Sequence, residues 1–183
     1  MRIVATPLAG LVVVETAPVA DERGRFVRIA CEQALSTLKP GIRFVQVNLS
    51  RTLRRGTVRG LHFQHAPHTE SKLVRCLRGR VFDVAVDLRA GSPTFLHWHA
   101  VELDAEIERE VFIPDGFAHG FQALTDDVEL LYLHTAAWHP AAEGRVRPDD
   151  PALDIAWPLA MTRLSPRDRD APLLTAAFGG IEA

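Results

Sequence analysis

Residues Val81 to Leu88 read VFDVAVDL. Strict alternation along that run fixes a strand with two distinct faces. Phe82, Val84, Val86 and Leu88 make one face, and Val81, Asp83, Ala85 and Asp87 the other. Two acids on one strand face suit solvent, or equally the polar interior of a barrel. Similar runs follow one another closely: Leu11–Glu15, Phe26–Ile29, Phe44–Leu49, Val58–Phe63, a strand starting near Lys72, His97–Leu103, Glu110–Ile113, Phe117–Leu124 and Val128–Thr135. Turn signals separate them at Asp21-Glu22-Arg23-Gly24, Ala90-Gly91-Ser92-Pro93 and Pro114-Asp115-Gly116. The best helix is short, Cys31 to Lys39, stopped by Pro40-Gly41. Many short strands at this spacing predict an all-β sandwich or closed barrel. The tail after Trp138 is rich in Pro and Asp and is expected to wrap the barrel as loops and short helices.

Size and charge narrow the rest. A chain of 183 residues that is 47% hydrophobic predicts one domain spanning residues 1–183, with a core that needs no staples. A net charge of −2 leaves no electrostatic footprint for nucleic acid. The N-terminal apolar run is interrupted by Pro7, Gly10 and Glu15, too short for a membrane span. It also lacks a convincing cleavage site. Cys31 and Cys76 are the only cysteines, without a Cys-x-x-Cys pair. The expectation is a cytoplasmic protein with no disulfide frame.

Two constellations carry chemistry. The first is histidine-rich. His97-Trp98-His99 puts two imidazoles on one strand face, and Pro114-Asp115-Gly116-Phe117-Ala118-His119 resembles the second cupin motif. A metal-dependent cupin oxygenase using His97, His99 and His119 is therefore one reading. Against it, Glu102 falls early for the first motif, and the gap from His99 to Pro114 is short. The second constellation is His62, Lys72 and Tyr132, with Asp168 to orient the histidine. Its logic is proton abstraction beside a carbonyl. That reaction needs a base, a positive group at the enolate oxygen, and an acid on the opposite face. Lys72 is one of only two lysines, and Tyr132 is the only tyrosine. Structural readings stand beside these: a hydrogen-bonded strand histidine and an ordinary strand aromatic.

A family resemblance covers about Val19 to Leu174. Its motifs are Asp21-Glu22-Arg23-Gly24-Arg25-Phe26, Phe44-Val45-Gln46-Val47-Asn48, Arg59-Gly60-Leu61-His62-Phe63-Gln64, Lys72-Leu73-Val74-Arg75-Cys76, Val81 to Asp87, Gly91 to Phe95, Ile113 to Phe121, Asp149-Asp150-Pro151 and Leu164-Ser165. In these the chain resembles the dTDP-4-dehydrorhamnose 3,5-epimerase family. The resemblance implies a cupin-like jelly roll with an exchanged N-terminal strand, a homodimer, and no cofactor or catalytic metal. It implies a nucleoside-diphosphate sugar, most simply dTDP-linked, as substrate. His62 would be the proton acceptor, Asp168 its orienting acid, Tyr132 the proton donor, and Lys72 the group at the keto oxygen. Arg59 and Arg23 would contact phosphate, Arg23 from the neighbouring subunit. Gln46, Asn48, His119, Glu143 and Arg167 would make other substrate contacts.

The chain departs from the family at Arg28, where the family carries Glu, and at Ala137-Trp138, where it carries Tyr-Tyr. Trp138 keeps a stacking face for a base. Arg167 replaces Lys and keeps its charge. These departures leave open whether C3, C5 or both are inverted, so a single-carbon epimerase is an alternative. A non-catalytic sugar-nucleotide binder is another. Arg59 and His62 are an odd number apart, so an ideal strand would send them to opposite faces. Either Gly60 between them marks a bulge or twist that relieves this, or Arg59 serves at a different edge from His62.

Overall fold

The computed structural model describes residues 1–183. Its strands are β1 (Arg2–Ala5), β2 (Val12–Glu15), β3 (Val19–Asp21), β4 (Gly24–Phe26), β5 (Gln46–Thr52), β6 (Val58–Gln64), β7 (Lys72–Arg78), β8 (Arg80–Asp87), β9 (Trp98–Asp104), β10 (Arg109–Ile113), β11 (Phe117–Ala123), β12 (Val128–His134) and β13 (Glu143–Arg145). Two one-turn α-helices, α1 (Glu32–Leu35) and α2 (Pro166–Arg169), and a 3-10 turn (Pro140–Ala142) complete it. One sheet runs β1-β2-β10-β7-β12-β5, the other β13-β6-β11-β8-β9, and β3 and β4 form a separate hairpin. Pairing within the sheets is antiparallel. The expected all-β, cupin-like jelly roll is what forms.

Alternation along the strands builds three apolar layers. Val74, Cys76, Val111, Ile113 and Leu130 of the first sheet meet Val81, Ala85, Val101, Leu103, Phe117 and Phe121 of the second between the sheets. On the outer side of the second sheet, Val84, Val86, Leu61 and Phe63 are covered by Val146, Leu153, Ile155 and Ile181 from the C-terminal segment. On the outer side of the first, Leu73, Phe112 and Leu133 are covered by Leu35 and Ile42. A fully buried side chain such as Phe112 or Phe121 contributes roughly 2–3 kcal/mol of burial free energy. The apolar filling occupies one end of the barrel only. Toward β5, β6, β13 and the C-terminal half of β12 the inward positions are mainly polar.

Three expectations need correction. The helix predicted over Cys31–Lys39 is helical only from Glu32 to Leu35. Ser36 and Thr37 hydroxyls turn back to the carbonyls of Gln33 and Ala34 at 2.8 and 3.1 Å, which competes with continuing the ladder. The Cys31 side chain makes no capping hydrogen bond. The run Phe26–Ile29 is strand only at Phe26. The third correction concerns the run Phe44–Leu49, whose alternation predicts a half-buried strand with Val45, Val47 and Leu49 as its apolar face. Its apolar face, Val45, Val47 and Leu49, is turned outward and is 60–62% exposed, while Asn48 faces the interior. As for the N-terminal strand expected to be exchanged, β1 pairs with its own β2 in this chain. The β3–β4 hairpin is tied to the body by Arg25, which pairs with Glu108 at 2.8 Å, and leaves Val19 and Phe26 exposed.

Candidate active site

A cavity of about 570 Å³ opens at the polar end of the barrel. Its walls come from both sheets. Asn48 and Ser50 (β5), Lys72 (β7) and Tyr132 and His134 (β12) line one side. Arg59, His62 and Gln64 (β6), His119 and Phe121 (β11), and Glu143 and Arg145 (β13) line the other. Arg163, Arg167 and Asp168 close it from the C-terminal segment.

The odd spacing of Arg59 and His62 is resolved by the backbone of β6. His119 is opposite His62 and Phe121 opposite Arg59, so the register shifts between them. The extra residue returns both side chains to the cavity. Gly60 makes this possible. Its φ is +118°, and a Cβ there would sit 2.6 Å from Gly120 Cα and 2.7 Å from His119 O. Only glycine tolerates that conformation and that approach.

His62 Nε2 is 2.7 Å from Asp168 Oδ1. Ser165 caps α2 by accepting the Asp168 N–H at 3.1 Å, which sets the carboxylate at the helix start. Burial pulls the Asp168 carboxyl up, but hydrogen bonds from His62 and from the Ser165 and Gly60 groups outweigh it and hold it below the usual carboxylate range. Asp168 is therefore an acceptor, and His62 Nε2 carries the proton toward it. Nδ1 is the ring nitrogen that Asp168 does not engage.

On the facing sheet, Lys72 Nζ pairs with Glu70 Oε1 at 3.0 Å. The other oxygen of Glu70 lies 2.7 Å from His134 Nδ1, and His134 Nε2 is 3.2 Å from Asn48 Nδ2. His119 Nε2 sits 2.9 Å from both oxygens of the fully buried Asp83. Tyr132 lies between these groups, its ring edge-on to His119 and stacked on His134, each with centroids 5.9 Å apart. Burial, then the Asp83 charge, push the Tyr132 phenol well above its ordinary range. It stays protonated at neutral pH.

A family model described as dTDP-4-dehydrorhamnose 3,5-epimerase matches residues 5–176. The chain belongs to this family. The dTDP-4-dehydrorhamnose 3,5-epimerase of Salmonella typhimurium is 41% identical over 180 residues, covering 97% of this chain and 98% of that protein. The dTDP-4-dehydrorhamnose 3-epimerase of Streptomyces niveus is 44% identical over 159 residues, covering 86% and 76%. The crystal structure of a dTDP-6-deoxy-D-glucose-3,5-epimerase from Legionella pneumophila, in complex with dTDP-4-keto-L-rhamnose, matches with a TM-score of 0.89 at 42% identity. It covers 94% of this chain and 92% of that one.

Of the residues the sequence singled out, His62, Lys72, Tyr132, Asp168, Asn48, Arg59, His119, Trp138, Glu143 and Arg167 line the cavity together. Gln46 does not. Its side-chain oxygen accepts the Trp138 N–H at 3.0 Å, so it holds the rim rather than the wall. Arg23 is at the tip of the β3–β4 hairpin, paired with Asp21 at 2.5 Å and exposed, outside its own chain's cavity. Arg28 borders a second, smaller pocket with Val19, Phe26 and Cys31. No three His, Cys, Asp or Glu side chains come together as a metal-binding group, so His97, His99 and His119 do not meet. Glu70, His134, Arg145 and Arg163 were missed. His134 carried a signal, two residues after Tyr132 on the same strand face. No helix is long and apolar enough to cross a membrane.

Proposed function

We propose that this chain is an isomerase that inverts carbons flanking the C4 ketone of a nucleoside-diphospho-4-keto-6-deoxy sugar, converting dTDP-4-dehydro-6-deoxy-D-glucose to dTDP-4-dehydro-L-rhamnose. One observation carries it: a His–Asp dyad whose histidine is on one sheet and a protonated tyrosine on the facing sheet border the same cavity. Inversion requires this, because the proton must leave one face of a carbon and return to the other.

His62 Nδ1 takes the C5 proton, and the C–H electron pair becomes the C4–C5 double bond of an enolate. Lys72 stabilises the charge on the C4 oxygen. Tyr132 delivers its proton to the opposite face of C5, and the ketone re-forms. His62 then releases its proton to solvent and Tyr132 regains one from solvent, and a second cycle inverts C3. The reaction is redox-neutral, and each proton removed is replaced, so no cofactor is needed. Arg59 holds the diphosphate. Trp138 offers its ring to the base, with Asn48, His119, Glu143 and Arg167 around the sugar and phosphates.

The working form is a homodimer. The outward apolar face of β5 and the exposed Val19 and Phe26 suit a second copy of the chain, whose Arg23 reaches the diphosphate. Both cysteines are free, in keeping with one cytoplasmic domain.

Proton NMR of dTDP-4-keto-6-deoxyglucose with the enzyme in D₂O tests the reading. Deuterium is expected at both C3 and C5, and is lost in His62→Ala. Deuterium at one carbon alone would assign a single-carbon epimerase, the activity named for the Streptomyces niveus relative. No exchange at either carbon would overturn the proposal.

A further inference from the structure

We propose that Glu70 is the positioning residue that aims the Lys72 ammonium at the enolate oxygen, and that His134 locks Glu70 in place; this rests on the reading of Lys72 given above. The three side chains form one unit. Lys72 and His134 are direct partners across the β7–β12 ladder, so they stand side by side on the inward face. Glu70 precedes β7 and turns in beneath both. Its backbone is tied on the C-terminal side, where the Ser71 N–H donates to Thr135 Oγ1 at 2.8 Å and Thr135 N–H to Ser71 O at 3.0 Å. Ser71 Oγ further donates to Asp115, which Lys39 clamps at 2.6 Å.

The hydrogen-bond polarity along the unit is consistent. Glu70 is anionic: burial pulls its carboxyl up, but His134 and Lys72 outweigh that and hold it low. The anion must then receive a proton-bearing nitrogen, so His134 Nδ1 donates to Oε2. His134 Nε2 is left to accept the Asn48 amide N–H. Oε1 remains for Lys72 Nζ. All three ionisable side chains are less than a tenth exposed.

Such a unit answers a specific difficulty of lysine as an oxyanion group. Its ammonium is a point charge on a flexible four-carbon stem. Burying it calls for a counter-charge, and stabilising a transition state calls for a fixed direction. Glu70 supplies both, and His134 removes the freedom Glu70 would otherwise have. An anion that served the fold alone would act on stability without acting through Lys72.

The test is a double-mutant cycle on the full chain with the 4-keto sugar nucleotide, reading kcat, KM and Tm. Glu70→Gln is expected to lower kcat by about 10- to 100-fold with KM changed by less than about twofold. In a Lys72→Met background the same substitution is expected to cause no further loss. His134→Gln, which keeps an amide N–H toward Glu70, is expected to lose less, and again nothing once Lys72 is gone. If Glu70→Gln leaves kcat unchanged, or its effect multiplies with that of Lys72→Met, the positioning role is overturned while the epimerase reading stands. If Lys72→Met itself retains wild-type kcat, the assignment of Lys72 falls, and this inference with it. Should Glu70→Gln lower Tm sharply, His134→Gln alone decides by the same criterion.

Discussion

His62 and Asp168 are 106 positions apart in the chain, yet their side chains are joined at 2.7 Å. The bond fixes which imidazole nitrogen is tied to the carboxylate. An asparagine at 168 would keep the shape but could present its N–H₂ to His62, favouring the wrong tautomer. Asp168→Asn is expected to lower kcat by about 10²-fold or more, with Tm near that of the parent. Equal kcat in the two proteins would show that the dyad does not set the base.

In the proposed mechanism Tyr132 returns the proton and does not remove it. Tyr132→Phe should therefore separate two events that normally occur together. His62 still removes a proton and can return a deuteron to the same face. Solvent exchange at the carbon is expected to persist while inversion falls by about 10²-fold. Monitoring both by NMR in D₂O checks this, and loss of both in parallel would point to tyrosine acting before the enolate forms.

The bulge that aligns Arg59 with His62 depends on two glycines in contact. Gly120 would place a Cβ 2.7 Å from Arg59 O, and Gly60 a Cβ 2.6 Å from Gly120 Cα. Gly60→Ala adds a left-handed conformation that alanine resists. Overpacking and backbone strain together give an expected loss of about 3 kcal/mol, or roughly 6–12 °C in Tm for a chain of this size. A thermal melt of the variant measures it, and a shift under a degree or two would mean β6 can relax.

Much of this site was legible because its chemistry lies on strands with clean alternation. Period two puts Tyr132 and His134 on one strand face, and Asp83 and Asp87 on one face of VFDVAVDL, without telling solvent from barrel interior; Gly60 flagged the bulge that parity demanded. What alternation cannot give is direction. In β5 the valines face outward, because the barrel interior at that end is a polar cavity. Nor can it give contacts made by loops: Glu70 precedes its strand and meets a histidine 64 residues away. Arg145 and Arg163 lie in the aperiodic tail, where nothing in the local pattern marks a cavity wall.

That outward face of β5 has its own consequence. Val45, Val47 and Leu49 together present more apolar surface than a strand in water needs. A second copy of the chain covers it in the proposed dimer. Val47→Asp is expected to shift the protein to monomer by light scattering. Activity should fall with it, because Arg23 of the second copy no longer reaches the diphosphate. A monomeric parent protein would remove the basis for both.

Asp87 gives the pH dependence of stability a definite sign. It is fully buried. Burial alone would raise its carboxyl, but Arg89, then Ser92 and Thr94, bring it from an ordinary 3.8 down to about 2. Between those values the unfolded chain holds the proton and the folded chain does not, so stability rises with pH there. The contribution is complete above about pH 4 and is lost as pH falls through about 2. The difference corresponds to about 2 kcal/mol. Asp87→Asn is accordingly expected to be less stable than the parent near neutrality, with the gap closing toward about pH 2. Urea unfolding at both ends of that range measures the gap. A gap of constant size would mean that shape, not the charge on Asp87, holds the Arg89–Thr94 turn.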